Sequence, residues 1–382
     1  MTSDPSTTTA PNPSAQTAPA PASTPAMAHV DGDIHPTLMR HQIAERMQDP
    51  VHREQWLRHG HRVPSPPEMT PRVRNGGQRL DARPEEGPPG SSLAMMQDQL
   101  LDQYGINHGI LIPLQAATLG VGEPGFTADL CRAMNEGVKE LFLDSEPRLH
   151  SSICVSHEAP ELAAQEIRRC ADDPRFVQVL LPSNALHPLG EPRYWPIYAA
   201  AVEAGLPVGV HVGGLPHMGA GWPSFYLEEH VTTGNTMVAL AMNMILEGVF
   251  EQFPTLQVVL IEGGITWAAP LMWSMDSAYS VLRRDYPKLR RLPSEYFREH
   301  YWFTTQPIEE SKDPKDVAEL YEMTGMTDRI IFSSDYPHWD FDSPALALQH
   351  LPADLQRMIL HENGERFYRF NDQKQQTQEA TR

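Results

Sequence analysis

"RIIFSSDYPH" (329–338) joins an apolar, β-branched run to an acid and an imidazole. Its first half reads as a buried strand, because branched and aromatic side chains suit a packed sheet. Asp335 and His338 then stand where that strand must empty. A buried strand that ends in ionisable groups carries a desolvation cost unless another charge compensates it.

The same pairing recurs along the chain. "HVDGDIH" (29–35) closes on Asp33 and His35, "PVGVHVGG" (207–214) carries His211, and "QVVLIEGG" (257–264) ends with Glu262 before two glycines. "HGILIPL" (108–114), "SSICVSH" (151–157), "FVQVLLPS" (176–183) and "YWFTTQP" (301–307) complete a set of eight strand-like runs. Helical stretches such as "ELAAQEIRRCADD", "WPIYAAAVEAG" and "NTMVALAMNMILEGVFEQF" separate them. Alternating strands and helices imply a parallel sheet, and eight such units close into a (β/α)8 TIM barrel of the α/β class. A doubly wound open sheet is the rival topology, but no glycine-rich dinucleotide fingerprint follows the first strand.

A barrel gathers the C-terminal ends of its strands into one mouth. Asp33 and His35 are two residues apart and share one side of an extended strand. Taken singly, each of these residues has a plain structural explanation. An Asp-x-His pair occurs by chance, a lone His211 suits a satisfied core position, Glu262 could cap the helix after it, and Asp335 could form a turn. Their coincidence at four strand ends points instead to a metal site of nitrogen and oxygen donors. Among neighbouring groups, Tyr336 and Trp339 are placed to wall a pocket for a planar substrate. His217 and Gln306 are candidate substrate contacts, and His230 lies on the same loop as His217. Asp340 and Asp342 read as the start of the last helix, with "DSP" as its capping signal.

The rest of the composition narrows the class. A formal net charge of −19 over 382 residues argues against nucleic acid and anionic membrane as partners. No apolar run approaches the length of a membrane span. Cys131, Cys154 and Cys170 show no CxxC spacing, which fits a reducing, cytoplasmic setting rather than a disulfide framework. Residues 1–28 form a Ser/Thr/Ala/Pro tail without the features of a secretory signal and are expected to be disordered. The barrel is expected over 29–370, with 371–382 a frayed polar end. Within the barrel, 36–92 is too long for an ordinary loop and is expected to cover the mouth or an interface.

"VDGDIHP", "VGVHVGG", "FPTLQVVLIEGGITWAAPLMWSMD" and "IIFSSDYPHWD", in this order and spacing, resemble the amidohydrolase-related family that includes aminocarboxymuconate-semialdehyde and γ-resorcylate decarboxylases. The closing "HENGERFYRF" resembles that family's last helix. The resemblance implies a barrel with one catalytic divalent metal, zinc first and manganese as the alternative. It also implies Asp33, His35, His211 and Asp335 as ligands, and a homodimer. Two departures stand out. Asp33 occupies a position where studied decarboxylases carry His or Glu, and Glu262 one where they carry a His used in acid–base work.

The loss of that histidine sets the expected chemistry. Hydrolysis by a metal-activated water on a small cyclic or aromatic substrate comes first, with Asp335 and Glu262 as bases and His338 assisting. Non-oxidative decarboxylation of an aromatic or unsaturated acid is the alternative, with His338, His217 or Asp335 as proton donor. Hydration uses much the same groups, and a non-catalytic binding barrel is the remote reading.

Overall fold

Eight runs rich in Val, Ile and Leu form eight parallel strands in a computed structural model of the chain, which describes residues 28–60, 77–117, 123–214, 224–232, 234–309 and 311–371. The strands are β1 (His29–Ile34), β2 (Ile106–Leu111), β3 (Leu149–Cys154), β4 (Phe176–Asn184), β5 (Val208–Gly214), β6 (Val258–Ile261), β7 (Tyr301–Thr304) and β8 (Ile330–Ile331). Each pairs with the next in sequence order. The sheet then closes on itself: Gly32 N donates to Phe332 O at 2.8 Å, His35 N to Tyr336 O at 2.7 Å, and Asp335 N to Asp33 O at 3.1 Å. The architecture is the (β/α)8 barrel that the alternating pattern predicts.

Helices between the strands bury one stripe each. In Pro160–Cys170, for example, Ala163, Ala164, Ile167 and Cys170 turn inward at helical spacing. The strands alternate as a half-inward surface must. On β7, Tyr301 donates its hydroxyl to Ala241 O and Phe303 packs beside Phe297, both on surrounding helices. Trp302 and Thr304 therefore take the side toward the barrel axis. Among the described residues, no helix is long and apolar enough to cross a membrane.

Two sequence expectations give way here. The last strand read as 329–338, but only Ile330 and Ile331 belong to the ladder with β7. From Phe332 onward the backbone turns to β1, and those bonds are what bring Asp335 over Asp33. Asp340 and Asp342 do not start a helix; the chain stays in turns until Ala353. Tertiary partners displace the local cap: Asp340 Oδ2 accepts from Gln306 Nε2 at 2.9 Å, and Asp342 Oδ2 from Ile308 N at 3.2 Å.

The described part of the long insertion holds helices Arg40–Arg46 and Pro50–His59. Its far end pairs with the loop after β8, through Arg79 N to Pro337 O and Trp339 N to Gly77 O, both 2.9 Å. At the other end of the barrel, Asn363 is fully buried, and its Nδ2 donates to Ile330 O at 2.7 Å and Thr327 O at 3.0 Å. It ties the closing helix to the start of β8. Asn363→Ala should cost about 2 kcal/mol of stability through those two lost bonds. Thermal or denaturant unfolding measures this, and an unchanged midpoint would remove Asn363 from the closure.

Candidate metal centre

The strand ends that carry acid and imidazole in the sequence meet in space. Ligand atoms of Asp33, His35, His211 and Glu262 all lie within 4.8 Å of one another, and so do those of His35, Asp335 and His338. His35 Nε2 stands 3.2 Å from Asp33 Oδ1 and 2.7 Å from Asp335 Oδ1. His211 Nε2 is 3.0 Å from Glu262 Oε2 and 3.7 Å from Asp33 Oδ2. Asp33 and Asp335 are fully buried, and His35 and His211 nearly so.

Backbone carbonyls fix which ring nitrogen faces the cluster. His35 Nδ1 lies 3.1 Å from Ile112 O, and His211 Nδ1 lies 2.5 Å from Val212 O. With Nδ1–H donated to a carbonyl, each Nε2 presents its lone pair inward, as a metal-binding imidazole does. Burial, helped by the charges of His338 and His211, pushes His35 down to about 4, so its ring is neutral at pH 7. Its Nε2 then meets carboxylate oxygens lone pair to lone pair, an arrangement that repels unless a positive charge lies between. Asp33 Oδ1 and Oδ2, His35 Nε2, His211 Nε2 and Asp335 Oδ2 are all buried without a hydrogen-bond partner among the described residues. Five converging donors of this kind fit a divalent cation.

The acids draw positive charge elsewhere in the cluster. Burial opposes charging of His211, yet with no cation between them Asp33 and Glu262 outweigh it and raise its pKa well above the ordinary value, so a bound cation would take the place of the proton on its Nε2. Burial likewise opposes a charged His338. The Asp335 carboxylate, 2.5 Å from His338 Nδ1, overcomes it together with Glu262 and Asp33, and His338 is pushed up to about 9.

The backbone bends to deliver two of these acids. Glu262 (φ 59°) and Asp335 (φ 58°) occupy the left-handed region that favours glycine. Such conformations cost on the order of 1–3 kcal/mol each and persist where the surroundings enforce them. Glu262 N donates to the Thr304 hydroxyl at 3.1 Å. Glu262 does not cap the next helix. That helix, Ala268–Leu282, starts without a side-chain cap, and Glu309 instead ties down the turn before it, accepting from Ile265 N at 3.0 Å and Thr266 N at 2.9 Å.

Around the cluster stands an outer row that sequence reasoning caught only in part. Gln306 is fully buried and bonds Asp340, whose Oδ2 is also 3.4 Å from His230 Nε2. Burial, with the charges of Asp335 and Glu262, pushes Asp340 up to about 6, which places it in the same electrostatic field. Trp339, half-exposed, donates Nε1 to Tyr226 Oη at 3.1 Å, and its ring lies 5.5 Å from that of His230. Tyr336 is buried, with its hydroxyl donated to Gln99 Oε1 at 2.9 Å and Arg79 over its ring. Packing against the insertion engages it more than an open pocket wall would. His217 lies outside the described residues. Asp340 and Tyr226 were missed because a local capping signal hid the first and nothing in the spacing marked the second.

Comparison with known proteins fits this geometry. The amidohydrolase family profile matches residues 30–370. A γ-resorcylate decarboxylase of Polaromonas is 25% identical over 275 residues, covering 67% of this chain and 81% of its own. A γ-resorcylate decarboxylase of Rhodococcus jostii is 26% identical over 255 residues, 63% of this chain and 75% of its own. Among solved structures, the 5-carboxyvanillate decarboxylase of Sphingomonas paucimobilis superposes with a TM-score of 0.65 at 20% identity, covering 90% of this chain and 99% of its own. A Polaromonas dihydroxybenzoic acid decarboxylase with bound manganese and 2-nitroresorcinol gives 0.63 at 18% identity, covering 90% and 98%. With its fold, its strand-end donors and a profile match along nearly the whole barrel, the chain belongs to the amidohydrolase family.

Proposed function

We propose that this protein is a metal-dependent, non-oxidative decarboxylase of a small aromatic or unsaturated carboxylic acid. The observation that carries the reading is His338, an imidazole favoured in its charged form, held 2.5 Å from Asp335 at the edge of the donor cluster. Decarboxylation leaves a carbon that must be protonated, and His338 is a proton donor beside the ligands. The hydrolytic reading, preferred from sequence because strand six lacks a histidine, loses ground on two counts. Asp335 Oδ1, its intended base, already faces both His338 and His35. The curated relatives that span most of the chain are named as decarboxylases.

Asp33, His35, His211 and Asp335 would hold the cation, with Glu262 beside His211. When bound, a divalent cation supplies positive charge that grips the substrate carboxylate and steadies the electrons left behind as carbon dioxide departs. His35 and His211 stay oriented by their carbonyl bonds. His338 carries the proton destined for carbon, and Asp335 keeps that ring in place. Glu262 holds His211 and repels a misplaced second anion. Carboxylate-rich donors favour manganese over zinc here, and the manganese in a solved relative supports that order. The insertion, through Gly77 and Arg79, supports a cover over the loop that bears His338.

The direct test is a panel of hydroxybenzoates, lactones and amides offered to the manganese- or zinc-loaded protein, with product mass and carbon dioxide read together. Loss of carbon dioxide is expected, and ring opening or amide cleavage without it would restore hydrolysis. His338→Gln should lower kcat by about 10²-fold or more while bound metal is unchanged. An unaltered kcat would remove His338 as the acid.

The charge on His338 can be tested without turnover. Its folded pKa of about 9 exceeds the ordinary 6.5, so its stabilising contribution is complete below about 6.5 and is lost as pH rises through 9. Chelator-stripped protein should therefore lose more thermal stability between those pH values than stripped His338→Gln does. Equal losses would show that His338 is not charged in the fold.

A further inference from the structure

The first strand carries one residue more than its neighbour can match. Asp31 pairs with Gly109 and Ile34 with Leu111, so three steps along β1 stand against two along β2. Such a bulge re-aims the side chains beyond it. A Cβ on Gly32 would lie 3.3 Å from the Thr304 methyl and 3.3 Å from Ile331 Cγ2, which puts Gly32 on the axis side with Thr304. Successive residues of a regular strand take opposite sides. Asp33 nonetheless shares the side of Gly32, since its Oδ2 comes within 3.7 Å of His211 Nε2. The extra residue is what turns Asp33 from the surrounding helices to the cluster.

Asp31 pins that bulge. It is fully buried, and its Oδ1 accepts from Asp33 N at 3.2 Å and from Ser334 N at 2.9 Å. The first bond closes a tight turn over Gly32, as an aspartate bonded to the backbone two residues on does. The second crosses to the segment after β8, at the residue that precedes Asp335. Ser334 Oγ accepts from Tyr336 N at 3.2 Å, and Asp335 N donates to Asp33 O at 3.1 Å. Asp335, at φ 58°, is enclosed by these bonds. One carboxylate oxygen thus ties the backbone of one cluster acid to the backbone beside the other.

We infer that Asp31, itself outside the donor cluster, is a positioning residue that sets where Asp33 and Asp335 stand around the cation. This rests on the cation site and is independent of the reaction the site performs. Without the acceptor, two backbone donors lose their partner out of water. A bulge that nothing pins then slips back toward regular alternation, which carries Asp33 off the axis side. The role asks for an oxygen acceptor at this place and not for a charge. Asparagine supplies one, and leucine, of similar shape, does not.

Calorimetric titration of the chelator-stripped full chain with manganese(II) chloride tests this, at a temperature where circular dichroism shows each variant folded. Asp31→Leu should weaken manganese binding about tenfold or more, as the loss of a support behind a ligand does. Asp31→Asn should bind within about threefold of the wild type. The paramagnetic resonance spectrum of the bound manganese should change in Asp31→Leu and keep its wild-type form in Asp31→Asn. A merely structural role would lower the unfolding midpoint of stripped Asp31→Leu yet leave the affinity and spectrum of its folded form unchanged. That result overturns the inference, and so does a tenfold or greater loss in Asp31→Asn. Should Asp31→Leu fail to fold, Asp31→Ala, which adds no bulk, takes its place with the same expectations. A wild-type chain that binds no manganese overturns the cation site itself, whereas equal binding by wild type and Asp31→Leu overturns only the role of Asp31.

Discussion

Lone pairs that face one another out of water are the constraint on which the rest of this structure turns. His35 Nε2 lies 2.7 Å from an oxygen of Asp335 and 3.2 Å from one of Asp33, all three groups being buried. In a medium of low polarity such an arrangement is repulsive unless a cation or a proton takes the middle. The carbonyl of Ile112 holds the protonated edge of His35 away from the cluster, so that neutral ring does not relieve the repulsion itself. The barrel's closure enforces the rest. Bonds from Gly32, His35 and Asp335 join β1 to the segment after β8, and the two ligand-bearing segments cannot drift apart without opening the sheet.

Backbone strain has the same origin. Glu262 and Asp335 both adopt left-handed φ at the point where a strand leaves the sheet. A glycine would be easier there, yet each position carries a carboxylate aimed at the cluster. Stability is given up locally to place charge, which is common where geometry serves chemistry. The packed barrel and the closing helix anchored by Asn363 absorb that cost.

Much of this was legible in the sequence, and its gaps have physical causes. The strands announced themselves through branched apolar runs. Asp33, His35, His211, Glu262 and Asp335 stood at strand ends, and a barrel brings strand ends together whatever the loops do. β8 was overextended because its apolar run continues past the two residues that pair with β7; the later ones bond to β1, and periodicity cannot tell one partner strand from another. Asp340 and Asp342 looked like helix caps because a cap is a local pattern. In the fold, Gln306 and Ile308, more than thirty residues distant in sequence, claim them instead. Reaction type was the hardest to read. The strand-six histidine's absence suggested hydrolysis, whereas the close pairing of His338 with Asp335, on which the proposed decarboxylation rests, exists only in three dimensions.

A single cation between the ends of β1, β5 and β8 is what the proposed site requires above all. An anomalous difference map recorded at the manganese edge, from crystals of the manganese-loaded protein, tests this most directly. One peak per chain, bounded by Asp33, His35, His211 and Asp335, is the predicted result. A map without a peak there, with the four side chains in their present positions, would contradict it.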